Sequence, residues 1–319
     1  MLKKIGIDWF ILILIAAILF SYAFPSIGTE KSCLPIKTIS YYGISLVFLL
    51  YGLKLNTREF FQDISNWKMH IIIQASTFVL FPVILLILKH FITNETLWLS
   101  LFYLAALPST VSSSVIMVSL AHGNIPGAIF NATLSSLAGI LITPAWMSLF
   151  MDTSTYNYNP GEIYTNLLFQ IIIPICTGML LQPILKKYIQ PIKHKLKIID
   201  QSVIIFIVYT SFSKSFANNI FSDYAPVTIL SIFISITALF FGVFFMLYMI
   251  SNTLNMSYKD RITIQFCGSQ KSLLHGVAIA NILFADSTIA GFILIPIMIY
   301  HVTQLLYTSI YAKQIISEK

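Results

Sequence analysis

Charge is what this sequence has least of. Only 10% of its residues are Asp, Glu, Lys or Arg, where a soluble domain carries about a quarter. Beside 57% hydrophobic residues and a mean hydropathy of +0.83, that deficit excludes a soluble globular chain and points to an all-α polytopic membrane protein. Cysteine is nearly as scarce. Cys33, Cys176 and Cys267 are too few and too far apart for a disulfide framework or a zinc site, and each reads as a small apolar filler. Motifs for chemistry are missing as well. There is no His-Glu-x-x-His, no pair of midplane aspartates and no Gly-x-Ser-x-Gly, so an enzyme is not expected. The lack of any nucleotide-binding motif argues against ATP-driven pumping. The twelve acids all fall in predicted loops or near predicted span ends, which leaves no carboxylate at the expected midplane.

What the sequence does have is a series of apolar runs of about 20 residues, the length of helix that crosses a bilayer. Hydropathy places ten spans: Ile5–Phe24, Ile36–Leu53, Met69–Leu88, Leu97–Leu120, Ile125–Phe150, Ile163–Leu185, Ile198–Phe216, Val227–Ile250, Arg261–Phe284 and Thr288–Ala312. The connections are short and leave no room for a soluble domain. Lys3 and Lys4 ahead of the first run imitate a secretory leader. No small-x-small cleavage site follows Phe24, so the run reads as a retained helix. Of the nineteen Lys and Arg, fourteen fall on the side shared by the two termini, four on the other, and Lys271 within a span. The positive-inside rule then puts both termini in the cytoplasm. The net charge of +7 is this orienting bias and calls for no nucleic acid. The basic stretch Lys186–Lys197 suits anionic lipid headgroups.

The halves echo each other. Pro25 and Pro183, each read as ending a span, are 158 residues apart; Lys54 and Lys214 are 160 apart, and Ser114 and Ser272 158. Residues 1–155 and 156–319 therefore read as two repeats of five spans within one transmembrane domain. An odd number of spans forces the second repeat to insert upside down, the architecture of many secondary transporters.

Two spans carry polar interruptions at corresponding places. In the fourth, Pro108 precedes Ser109, Thr110, Ser112, Ser113 and Ser114. Proline removes an amide hydrogen and clashes with the preceding turn. In the ninth, Gly268, Ser269, Gln270, Lys271 and Ser272 interrupt an apolar run. A broken helix in lipid strands carbonyls that protein, water or an ion must satisfy, and paired broken helices mark transporter binding sites. The competing explanation is helix packing, because small residues let backbones approach. Lys271 stands out most: a charge at bilayer depth costs about 2.5–3.5 kcal/mol on insertion scales.

At these residues the chain resembles the bile acid:sodium symporter family, over nearly its whole length. The resemblance is strongest at Leu107–Pro144 and Gln265–Phe284. The family's helix 4 proline, Ser-Asn pair, following Gly-Asn and Thr-Pro read here as Pro108, Ser113-Ser114, Gly123-Asn124 and Thr143-Pro144. Its Glu-Val-Gly-Met-Gln-Asn-Ser reads Phe266-Cys267-Gly268-Ser269-Gln270-Lys271-Ser272. The Cys-Gly-Ser-x-Lys-Ser-Leu run is similar to the orphan SBF-like branch, which includes bacterial membrane proteins and the seventh human member of the solute carrier 10 group. The resemblance implies ten helices, a panel domain and a core domain, helices 4 and 9 crossing near the midplane, and a bacterial inner membrane as the home. It does not carry sodium chemistry across. Phe266 stands where sodium-coupled members place a glutamate ligand, Lys271 where they have asparagine, and Ser114 likewise.

Three roles are open for Lys271. Its ammonium replaces a sodium ion, or it titrates and couples transport to protons, or it snorkels to water or a loop carboxylate as a structural residue. His275, four residues on, shares its face if the helix has resumed and is a candidate proton partner. Asn131 and Ser135 share a helix face and are candidates to complete an ion site; Gln74 and Thr77 are further contributors. If sodium binds, Ser113, Ser114, Asn131 and Gln270 are the candidate ligands. The ion or substrate site is thus expected among Thr110, Ser112, Ser113, Ser114, Asn131, Ser135, Ser269, Gln270, Lys271, Ser272 and His275. The expected function is secondary transport of a small organic anion by alternating access, with altered or absent sodium coupling and no other cofactor. The alternatives are a proton-coupled transporter and a non-transporting scaffold.

Overall fold

The computed structural model describes residues 9–29, 32, 34–55, 63, 65–151, 160–220, 226–285 and 287–317. Every regular element among them is helical. α1 is Trp9–Ala23, α2 Ile36–Lys54 and α3 Trp67–Phe91. α4 (Glu95–Ala106) and α5 (Ser112–Leu120) divide the fourth predicted span, and α6 is Ile125–Ser148. α7 is Gly161–Ile192, α8 Lys193–Ala217 and α9 Pro226–Thr253. α10 (Tyr258–Ser269) and α11 (Leu273–Leu283) divide the ninth, and α12 is Ala290–Ser317. Among the described residues seven helices are long and apolar enough to cross a membrane, and α1 and α4 are shorter apolar helices. The protein is a polytopic membrane protein. Residues 5–8 of the first predicted span, Cys33, the side chain of Ser112, and Lys3, Lys4, Lys31, Arg58 and Lys319 lie outside the described residues. So do Asp8, Glu30, Glu59, Asp152, Asp223, Asp286 and Glu318.

Local chemistry sets the helix ends. Asn94, Asn124, Ser257 and Ser272 cap α4, α6, α10 and α11, each side chain accepting a first-turn amide hydrogen. α4 stops at Ala106 because Leu107 precedes a proline and is held extended at φ −70°, ψ 151°. Pro183 does not behave as expected. It lies inside α7, which runs on to Ile192 instead of ending near Leu185. In an apolar surround, losing one backbone bond costs less than opening a whole turn. Asp200 lies in the second turn of α8, where it pairs with Lys54 of α2.

The outside is apolar, and a set of polar groups is buried within an otherwise apolar interior. Leu180, Ile184, Phe233 and Phe245 face outward, while Ser109, Asn131, Ser269, Gln270 and Lys271 are buried. Lipid gives helices no hydrophobic reason to associate, so close backbone approach and hydrogen bonds hold them. Gly52 of α2 and Gly178 of α7 show the approach: a Cβ on Gly52 would sit 2.3 Å from the Ile175 carbonyl and 3.1 Å from the Gly178 Cα. α8 packs on both α1 and α2, so α1, α2, α7 and α8 form one group. α3 to α6 and α9 to α12 form the other, joined to the first chiefly where α12 and α11 meet α8. Cys267 is a buried filler as expected; Cys176 is not, since it lies exposed on α7.

Candidate functional site at the meeting of two broken helices

The two interruptions touch. The Ser272 amide donates to the Pro108 carbonyl at 2.9 Å. The Ser109 hydroxyl donates to the Cys267 carbonyl at 2.7 Å, and the Ser113 hydroxyl to Gln270 Oε1 at 2.8 Å. On the α6 side, Ser135 Oγ accepts the Ser109 amide at 2.8 Å.

The carbonyls released by the breaks can be followed one by one. In the first, Ala105 and Leu107 accept from the Lys271 ammonium, Ala106 from Thr143 Oγ1 and Pro108 from the Ser272 amide. In the second, Cys267 accepts from Ser109, Gly268 from Ser76, Ser269 from Tyr300 and Lys271 from Gln304. Burying a carbonyl unpaired would cost about 1–3 kcal/mol, and side chains from α3, α6 and α12 prevent that.

Lys271 is the centre of this network. Its backbone is held by Gln304, whose Oε1 accepts the Lys271 amide at 2.8 Å and whose Nε2 donates to the Lys271 carbonyl at 2.9 Å. Its Nζ donates to Ala105 O at 2.6 Å, Leu107 O at 2.8 Å and Thr77 O at 2.8 Å, and lies 4.2 Å from the centre of the Phe81 ring. Three donors into three carbonyls is the coordination of an ammonium, since a neutral amine carries only two N–H groups. Two of the acceptors sit at the C-terminal, negative end of α4, and the ring face adds a cation–π attraction. Snorkelling is ruled out by geometry: Lys271 is 0% exposed.

The third acceptor has its own cause. α3 changes to π-helical winding over Ser76–Leu80, and the Phe81 amide donates to Ser76 O. The next donor in that pattern would come from Pro82, which has none. Thr77 O is thereby freed for Lys271, and Trp146 Nε1 takes Phe78 O at 2.9 Å. Thr77 thus contributes a carbonyl; its hydroxyl bonds back to Ile73 O. A proline two-thirds along a predicted span was the available sign, but propensity alone does not say which carbonyl a proline strands. Tyr300 and Gln304 on α12 carried no sequence signal.

The remaining candidates divide. Ser113, Gln270, Ser135, Ser272 and, through its carbonyl and hydroxyl, Thr110 lie at the crossing. Ser114 and Ser269 bond back onto their own helices, at Thr110 O and Gln265 O. Asn131 turns away: its Nδ2 donates to Gly127 O at 2.9 Å and sits 2.8 Å from His70 Nδ1, while Oδ1 accepts from Gln74 at 3.1 Å. Asn131 and Gln74 therefore bond to each other and not to the crossing. His275 does not share a face with Lys271, because the helix has not resumed there; Lys271 precedes the Ser272 cap of α11. The sodium ligand set Ser113, Ser114, Asn131 and Gln270 consequently does not converge. These residues do not fit a sodium ion, and among the described residues no group of three or more His, Cys, Asp or Glu gathers for any other metal.

Residues 8–316 match the model of the SBF-like CPA transporter family. The chain belongs to that family. The SBF-like family is one of transporters, not of enzymes. Its relatives include an uncharacterised protein of Pseudomonas aeruginosa, 31% identical over 96% of this chain and 92% of that one. YfeH of Escherichia coli, whose name proposes a symporter, is 31% identical over 97% and 92%. A rat protein named sodium/bile acid cotransporter 7 is 30% identical over 97% and 93%. The SBF-like family thus covers the whole transmembrane part of the chain, including both broken helices.

Proposed function

We propose that this protein carries a small organic anion across a bacterial inner membrane by alternating access, with the Lys271 ammonium as a resident cation where a sodium ion would otherwise hold the crossing together. The observation that carries the reading is the seating of Nζ on three main-chain carbonyls, from α3 and from the broken end of α4. A fixed cation neutralises the helix end without being bound and released in each cycle.

Counting α4 with α5 and α10 with α11 gives ten crossings and places the breaks fourth in each set of five. Contact between equivalent residues supports two inverted repeats. Ser109 and Cys267, which bond to each other, are separated by 158 residues, the repeat offset read from the sequence. Residues on a two-fold axis meet their own counterparts in this way. The grouping of α1, α2, α7 and α8 against the other helices supports a panel and a core. Both termini then face the cytoplasm.

The test is uptake into proteoliposomes of tritiated benzoate, phenylacetate, decanoate and benzenesulfonate, with sodium exchanged for choline. The expected result is saturable uptake of at least one anion, at the same rate in either salt. Lys271→Ala is expected to lose uptake and to regain part of it with millimolar methylammonium. No uptake of any anion would sink the organic-anion reading; uptake that needs sodium in the unaltered protein would sink the resident-cation reading.

A further inference from the structure

α1 does not close onto the helices it faces. It packs along α8, and α12 packs on both α8 and α9, but α1 makes no such contact with α9 or with α12. Between them lies a cavity of about 750 Å³, within the ~300–1,000 Å³ of sites that enclose one small ligand. Its two long walls are helix stripes. Ile11, Leu14 and Ile18 of α1 recur at the spacing of one helix face, and so do Ile295, Ile299, Val302 and Leu306 of α12. Phe212 of α8 and Leu273 of α11, both buried, line the inner side. Ile15, Phe233 of α9 and Ile310 are about half exposed and line the mouth. α9 and α12 are long enough to cross a membrane, so that mouth faces hydrocarbon.

Polarity and shape identify the occupant. The lining is apolar almost throughout, and among the described residues no Lys or Arg belongs to it. Thr237 donates to Phe233 O at 2.8 Å and Thr303 to Ile299 O at 3.0 Å, each on its own helix, and His301 Nδ1 lies 3.1 Å from Gln304 Nε2. The walls therefore offer hydrocarbon contact and no cation for an anionic head. Water finds few partners in such a space, and an unfilled one forfeits the dispersion contacts of its lining. From Ile295 to Ile310, α12 rises about 22 Å at ~1.5 Å per residue. One leaflet supplies ~15 Å of hydrocarbon, half of the ~30 Å core, so the cavity has room for a chain along its whole length.

We infer that one acyl chain of a membrane phospholipid lies in this cavity, lengthwise along α12. It separates α1 and α8 of one helix group from α9, α11 and α12 of the other. The inner wall at Leu273 is two residues from Lys271, so the chain rests against the start of α11, beside the crossing. Any approach of α1 to α12 must first expel it. This inference stands apart from the organic-anion reading, because the cavity holds no counter-charge for a transported anion.

The test is photolabelling of the full chain in proteoliposomes that contain a phosphatidylcholine with a diazirine near the end of one chain, the adducts being mapped by tandem mass spectrometry. Ordinary contact with the bilayer labels outward residues such as Leu180 and Ile184 of α7. The expected result is further label on the two facing stripes, at Leu14 and at Val302. Val302→Trp fills the cavity with an indole and should cut the label at Leu14 about ten-fold, because chain and indole cannot share the space. Label at Leu180 and Ile184 should not change. Unaltered protein that is labelled on α7 but neither at Leu14 nor at Val302 overturns the proposal, whether or not the variant folds; chemical cross-links between two chains at these stripes would then mark a second copy as the occupant. Protection of Leu14 and Val302 by millimolar benzenesulfonate would also overturn it, since the cavity would then take an organic anion and not a lipid chain. Equal label at Leu14 in the variant and the unaltered protein would place the chain elsewhere and sink the assignment.

Discussion

At the 158-residue offset Lys271 corresponds to position 113, one residue from Ser114, yet the side chains of Lys271 and Ser114 do opposite things. The lysine satisfies carbonyls on other elements; the serine bonds back to Thr110 in its own helix. Each carbonyl stranded by Lys271→Met costs about 1–3 kcal/mol, so this variant should lose several kcal/mol, read as a large drop in melting temperature in detergent. Ser114→Ala should shift stability by no more than about 0.5 kcal/mol, because a back-bond of this kind adds little to a helix. Equal melting temperatures for the two variants would contradict the carbonyl accounting. Thr143→Val strands only Ala106 O and should fall between them.

Interruption and close approach are properties of elements. Pro108 ends α4 partway through the predicted fourth span, and the released carbonyls form the seat for the ammonium. Pro108→Leu permits the helix to continue through 107–111 and withdraws those acceptors. Transport should be lost while the protein still inserts, which uptake beside a membrane-fraction blot would separate. Between α2 and α7 the constraint is space. A leucine at Gly178 would drive its Cβ to 2.3 Å from the Leu49 carbonyl, and backbone cannot yield as a side-chain tip can. Gly178→Leu should therefore destabilise strongly, by more than the about 1–3 kcal/mol typical of overpacking, while Gly242→Leu, where nothing lies within 4 Å, should be tolerated.

For the whole molecule the question is orientation. Positive charge weighted to one side predicts that both ends remain in the cytoplasm. A green fluorescent protein fused after Lys319 should fluoresce, and an alkaline phosphatase fused there should be inactive; the reverse result would invert the topology. The two packing groups meet at α8, α11 and α12, and this seam is where relative movement would be expected. Much of this level was legible from composition. Low charge, apolar runs and an asymmetric lysine count are summed over many residues, and sums tolerate local error. Pro183 shows the limit: a proline reads as a stop, but within a packed bundle α7 passes through it.

The sequence by itself determined that this chain is a helical membrane protein, where its helices run, and that the segments around Pro108 and Gly268 break, because each of these follows from residues adjacent along the chain. Only the tertiary structure decided what the breaks are for. Which carbonyl Pro82 strands, that Gln304 clamps Lys271 and that Asn131 turns to Gln74 all depend on side chains brought together from distant positions. A hydrogen bond needs its partner within about 3 Å, and no one-dimensional pattern carries that distance.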